Sequence, residues 1–208
     1  MTGTALPPLN AAWDPRLETP DADEFCWTPL QLAARSGDLA LMRRILDADP
    51  AAAHAPPRGY YGQTALQAAC VQGDLAAVRL LLAAGADVHA GGGHNMQRNA
   101  LQLACGQGDE AVVDALLAAG ARVDEPAVTR YNGRTALQAA CERGHAGRAD
   151  IIEMLLAAGA EVNARSARRG RAQSALQSAV AAGHEEAARV LRENGATGKS
   201  GGRCFLFP

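Results

Sequence analysis

The sequence predicts an all-α repeat solenoid, and three observations carry that reading. A single phrase returns five times: TPLQLAA at Thr28, TALQAAC at Thr64, NALQLAC at Asn99, TALQAAC at Thr135 and SALQSAV at Ser174, with starts 36, 35, 36 and 39 residues apart. Self-similarity at such a period marks a stack of one small unit, each copy burying its apolar face on the next. A glycine closes the first half of every copy, and four copies carry a second one further on. Finally, apolar residues make up 48 % of the chain but aromatics only 4 %, and Ala is more than a fifth of it. Short side chains of that kind suit thin, closely packed helices better than a thick core or a wide cofactor cavity.

The second unit, residues 62–97, shows how each element arises. Thr64 is an N-cap residue whose hydroxyl accepts from an orphan N–H of the first turn, and Thr28, Asn99, Thr135 and Ser174 stand at the same place. Leu66, Ala69 and Cys70 recur at i, i+3, i+4, one face of a short inner helix. Gly73 ends that helix, as Gly37, Gly108, Gly144 and Gly183 do elsewhere, because Gly relieves the strain of a left-handed cap. Leu75, Val78, Leu81 and Leu82 form the apolar stripe of a second helix, stopped by Gly85 and by its counterparts Gly120, Gly159 and Gly195. The Gly-rich polar stretch 86–97 predicts a turn or β-hairpin-like finger before the next cap.

Helix, turn, helix and finger, headed by a phrase close to T-P-L-H-x-A, resemble the ankyrin repeat. The resemblance covers about Trp27 to Thr197 and extends to the tails LLLAAGADVHA at Leu80 and MLLAAGAEVNA at Met154. It implies an ankyrin-repeat solenoid of about five helix-turn-helix units with β-hairpin-like fingers. The repeats fall near 28–61, 62–97, 98–132, 133–171 and 172–197. Residues 1–26 form an N-terminal arm, extended or packed on the first repeat, and 198–208 a C-terminal tail. Gln31, Gln67, Gln102, Gln138 and Gln177 stand where the family usually has a His that bridges neighbouring loops, and a Gln amide has the donor and acceptor for a similar role. With the Gly59-Tyr60-Tyr61-Gly62 finger, this style resembles arrays of filamentous fungi. Asp49-Pro50 interrupts the first unit, and the fourth carries insertions around Ala146-Gly147-Arg148 and in its finger. The fifth unit is expected to close the stack with Glu185, Glu186, Arg189 and Arg192 facing water.

Composition excludes several classes of function. A formal net charge of −2 provides no field for nucleic acid or a membrane surface. No signal peptide and no stretch of about 18 apolar residues is visible. Five Cys without paired spacing read as reduced thiols, and the chain is expected in the cytoplasm, with the nucleus as an alternative. Cys70, Cys105 and Cys141 share one column, but helices stacked about 8–10 Å apart hold them too far apart for a disulfide or a shared ion. They read as small buried hydrophobes. His54 and His89 occupy the slot of Asp124 and Asn163 at the start of the finger and read as turn-forming or loop-bridging groups. His145 and His184 follow the inter-helix Gly, where Asp38, Asp74 and Asp109 stand in other units. Gly91–Gly93 lack the context of a phosphate loop, and no metal or cofactor motif is found, so no cofactor is expected.

The candidate binding residues follow from the resemblance, which implies contacts through finger tips, the residue before each N-cap and the end of each inner helix. The pre-cap column reads Trp27, Gln63, Arg98, Arg134 and Gln173. The inner-helix ends read Arg35-Ser36, Val71-Gln72, Gly106-Gln107, Glu142-Arg143 and Ala181-Ala182. Five of the eight aromatics (Phe25, Trp27, Tyr60, Tyr61 and Tyr131) fall at or beside this surface, and Tyr, Trp and Arg are common hot-spot anchors. The candidates are therefore Trp27, Tyr60, Tyr61, Arg98, Tyr131, Arg134, His94, Met96, Glu142 and Arg143. Packing of the finger tyrosines on one another stays open as the plainer reading.

Two functions are weighed. One is a non-catalytic module that binds a protein partner through its concave face and fingers. The other is a small-molecule binder or an acid/base enzyme of cyclase or isomerase type, using Tyr, Arg and His groups in the groove. The Arg165, Arg168, Arg169 and Arg171 finger is open to a phosphate, an acidic partner or an import receptor, or is a solvated loop. Trp13 is expected to fold back on the first repeat or across the groove, and the apolar stretch Phe205–Phe207 to dock on the last repeat or a partner.

Overall fold

The computed structural model describes residues 27–57, 62–92, 98–125, 134–142, 148–164 and 174–197. The arm, the finger tips, the inter-helix turn at Gly144 and His145, the basic finger and the tail lie outside the described residues. Ten helices are formed among those described: α1 (Pro29–Ser36), α2 (Leu39–Ala48), α3 (Ala65–Gln72), α4 (Leu75–Ala83), α5 (Ala100–Gln107), α6 (Glu110–Ala118), α7 (Ala136–Glu142), α8 (Arg148–Ala157), α9 (Ala175–Ala181) and α10 (Glu185–Glu193). The odd-numbered helices pack in series as an inner layer and the even-numbered ones as an outer layer.

Each inner helix starts from the same reciprocal device. The N-cap side chain of Thr64 accepts from Gln67 N at 3.2 Å, and Gln67 Oε1 accepts from Thr64 N at 2.9 Å, so two otherwise orphan donors are satisfied together. Thr28, Asn99, Thr135 and Ser174 form the same box with Gln31, Gln102, Gln138 and Gln177. The Gln amide nitrogen then reaches into the following finger. Gln67 Nε2 donates to Ala90 O at 2.7 Å and to Arg98 O at 3.2 Å, while Gln31, Gln102 and Gln138 donate to Pro56 O, Glu125 O and Ala164 O. One buried amide thus begins a helix and ties down a loop more than twenty residues on. Gln31, Gln67, Gln102 and Gln138 perform the bridging expected of them, and the cap that each completes is a second role.

The outer helices begin differently. Asp38, Asp74 and Asp109 cap them by accepting from Leu41, Ala77 and Val112 N. His184, at the same place before α10, makes no side-chain cap bond. Left-handed backbone at the two glycine series is observed as expected, for example φ +68° at Gly73 and +82° at Gly85. Gly73 is doubly constrained, since a Cβ there would also lie 2.9 Å from Asp109 Oδ2. At Asp49-Pro50, where the first unit lacks the second glycine, the chain turns through a short 3-10 helix, Pro50–His54, capped by the Asp49 carboxylate on Ala51 N.

Burial corrects one expectation. The spacing of Leu66, Ala69 and Cys70 predicts one buried face, yet every residue from Ala65 to Cys70 is buried. An interior inner helix is covered by a neighbour on each side and by its own outer helix, so it has almost no solvent face. The stack ends show which slot faces which neighbour. Leu32 is 51 % exposed in the first repeat, whereas Ala68, Leu103, Ala139 and Ser178 in the same slot are 1–7 % exposed, so this slot faces the preceding unit. Val180 is 55 % exposed in the fifth repeat, whereas Ala34, Cys70, Cys105 and Cys141 in its slot are fully buried, so that slot faces the following unit.

The finger bases are turns, and no strand occurs among the described residues. His54, His89, Asp124 and Asn163 bridge to the next repeat as a column. His54 lies against Gly85, Asp124 accepts from Glu161 N at 3.0 Å, and Asn163 accepts from Thr197 N at 2.9 Å. Glu185, Glu186, Arg189 and Arg192 are exposed on α10, where Arg189 bonds Glu186 and Glu193.

Candidate functional site

The inner-helix face is built from residues that flank each inner helix, and these meet across it in a constant register. Trp27, just before the Thr28 cap, is half-buried, and the guanidinium of Arg35, eight residues on, lies 5.0 Å from its ring centroid. A cation over an indole at a partly exposed site contributes about 0.5–1 kcal/mol and holds both side chains in one orientation. In the fourth repeat Arg134, before the Thr135 cap, forms an ion pair with Glu142, again eight residues on. Both partners remain partly exposed, at 29 % and 21 %.

Between these pairs the same register holds Gln63 with Val71 and Arg98 with Gly106. Gln63 and Val71 are half-buried in the second repeat. In the third, Arg98 is half-buried and its carbonyl accepts from Gln67 Nε2, while the eighth residue on is Gly106. A Cβ added at Gly106 would meet nothing within 4 Å, and its φ lies outside the left-handed region. Packing therefore does not require glycine there, and the face dips at its centre. An open notch of about 480 Å³ adjoins this dip, lined by Val71, Gln72, Gln107, Asp109 and Glu110 among others. A smaller hollow of about 330 Å³ lies between the first two finger bases, lined by His54, Pro56, Pro57, Thr64, Asp87 and their neighbours. Neither hollow is lined by Arg98, Arg134 or Glu142.

A polar cluster that the sequence reading missed joins the second and third finger bases. Glu125 accepts from Asn99 Nδ2 at 3.0 Å and from Arg122 at 3.1 Å, and its carboxylate lies 3.5 Å from His89 Nδ1. The available signal was that Glu125 is the one charged residue in a column otherwise read as Ala55, Ala90 and Ala164. Three described cysteines, Cys70, Cys105 and Cys141, are buried and form no disulfide. Burial first, and the nearby Asp109 carboxylate second, push the Cys70 thiol up to about 12, which leaves it protonated and unreactive at neutral pH. No group of His, Cys, Asp and Glu suited to a metal ion occurs among the described residues.

Of the sequence-derived candidates, Trp27, Arg98, Arg134 and Glu142 are described and lie along this face, and Arg134 and Glu142 are brought together. Tyr60, Tyr61, His94, Met96, Tyr131 and Arg143 lie outside the described residues.

A two-layered stack of helix pairs, tied by one amide in each of the first four repeats, defines a helical repeat protein. The family model for ankyrin repeats in three copies matches residues 13–92 and 89–166, well over half of the sequence, and the chain belongs to the ankyrin-repeat family. No curated protein matches it. Ankyrin repeats are generally protein–protein interaction modules. No helix among the described residues is long and apolar enough to cross a membrane.

Proposed function

We propose that this protein is a non-catalytic module that holds a protein partner on its inner-helix face, with the fingers as a second contact edge. The observation that carries the reading is the pair of pre-organised anchors, Trp27 with Arg35 in the first repeat and Arg134 with Glu142 in the fourth, on either side of a dip at Gly106. Trp and Arg side chains fixed before binding lose little further freedom on association, which is how a few residues come to dominate affinity. The Arg134–Glu142 pair also leaves no isolated charge for a partner to desolvate. Residence in the cytoplasm, or alternatively the nucleus, suits three buried cysteines that form no disulfide.

The test is affinity capture from the native host with the wild-type chain and with a Trp27→Ala/Arg134→Ala variant, both checked for helix content. Loss of a hot-spot residue costs about 2 kcal/mol or more, so recovery of the partner should fall by roughly 30-fold. An Arg189→Ala control on α10 should bind normally. Undiminished capture by the double variant sinks the proposal, and co-purification of a small molecule in place of a protein favours the groove-ligand reading.

A further inference from the structure

The inner layer ends in the two halves of an interface that the chain makes four times within itself. Each inner helix packs on the next, α1 on α3, α3 on α5, α5 on α7 and α7 on α9. One slot of each helix is turned toward the following inner helix and another toward the preceding one. Ala34, Cys70, Cys105 and Cys141 fill the first slot and are fully buried, whereas Val180 in α9 is 55 % exposed. Ala68, Leu103, Ala139 and Ser178 fill the second slot and are buried, whereas Leu32 in α1 is 51 % exposed. Leu32 and Val180 are the exposed large hydrophobic residues among those described, one in the first repeat and one in the fifth.

We propose that a second copy of this chain stacks head to tail on the first, α9 of one copy on α1 of the other, and so continues the inner layer. A preceding inner helix covers the Leu32 slot in every other repeat, and α9 is the inner helix whose following-facing slot stays open. Both slots are apolar, so each copy removes from water what the other leaves exposed. The contact joins two different patches, so it does not close on itself and further copies can add. The outer layer opposes it. Arg44 in α2 is exposed where Leu80, Ala115, Met154 and Val190 are partly or fully buried, so its slot faces the preceding unit. Arg192 in α10 is exposed where Leu46, Leu82, Leu117 and Leu156 are partly or fully buried, so its slot faces the following unit. Stacking brings these two guanidinium groups to one edge with like charge. The association is therefore weak, and salt strengthens it by screening that repulsion.

Sedimentation velocity on the full-length chain is the test. The average mass should rise with protein concentration, and more steeply in about 0.5 M than in about 0.05 M NaCl. Leu32→Glu and Val180→Glu, both at exposed positions, should each keep the helix content and raise the concentration needed for association roughly tenfold or more. Mixed in equal amounts, the two variants should form a dimer and stop there. The Leu32→Glu copy keeps its Val180 end, and the Val180→Glu copy keeps its Leu32 end. A monomer mass at every concentration overturns the proposal, the cover then coming from within the chain. Association that neither substitution weakens also overturns it, because another surface would be responsible. So does a mixture that associates no better than either variant alone. Leu32→Lys and Val180→Lys give the same reading if a Glu variant loses helix content.

Discussion

The third and fifth repeats have nearly the same sequence plan and quite different surroundings. In the third, Gln102 is 3 % exposed, completes the Asn99 cap and holds the Glu125 carbonyl of the next finger. In the fifth, Gln177 completes the Ser174 cap but is only half-buried. Cys105 is fully buried where Val180 is 55 % exposed. Asp109 caps α6, whereas His184 before α10 makes no side-chain cap bond and its Nε2 is buried without a hydrogen-bond partner. Stability in such a stack is a sum of each unit's own contribution and its interfaces with two neighbours. Among the described residues nothing packs on the Val180 side of the fifth repeat, and its second helix begins without a side-chain cap bond.

The sharpest probe of that difference is the glutamine column. Gln102→Ala removes a buried cap acceptor and leaves the part-buried Glu125 carbonyl without its amide donor, a loss of about 2–4 kcal/mol. Gln177→Ala should cost less, because its side chain is only half-buried and the groups it leaves stay nearer water. Urea unfolding of the two variants measures the gap, and equal losses would mean that burial at this position does not set the cost.

A second probe is pH. The Cys70 thiol is raised from 9.0 to about 12 by burial, so the folded state keeps its proton while the unfolded chain ionises. Its stabilising contribution is complete below pH 9 and declines as pH rises from 9 toward 12, reaching about 2 kcal/mol of loss near pH 10.5. Urea midpoints at pH 8 and 10.5 should converge in Cys70→Ala relative to wild type. An identical pH slope in both proteins refutes the assignment.

The smallest expected effect is a gain. His184→Asp restores to α10 the cap that Asp38, Asp74 and Asp109 supply to other outer helices, and should stabilise the protein by about 0.5–1 kcal/mol. Because the added cap acts at the start of α10, amide exchange in α10 should slow more than exchange in α5. A uniform change along the stack would argue against local fraying.

Much of the fold was legible because its causes are local. Thr64, Leu66, Gly73 and Gly85 announce cap, core, turn and stop within a few residues, and backbone donors at a helix start need a partner whatever lies beyond. Even the capping box is written in the sequence as Thr64-x-x-Gln67, beside the loop tie that the Gln column predicts. The candidate site was less legible. That Arg134 meets Glu142, or that Arg35 lies over Trp27, depends on rotamers at both ends of a helix, and a register of eight matches no sequence rule for helical neighbours, which pair at three and four. Glu125 joins His89, Arg122 and Asn99 only because two finger bases are stacked side by side. The repeat phrase by itself determined the elements, their order and the residues that begin and end them, since these obey periodicity and backbone hydrogen bonding. Tertiary structure decided that Ala68 is core while Leu32 in the same slot is surface, because burial is a property of the neighbour and not of the residue.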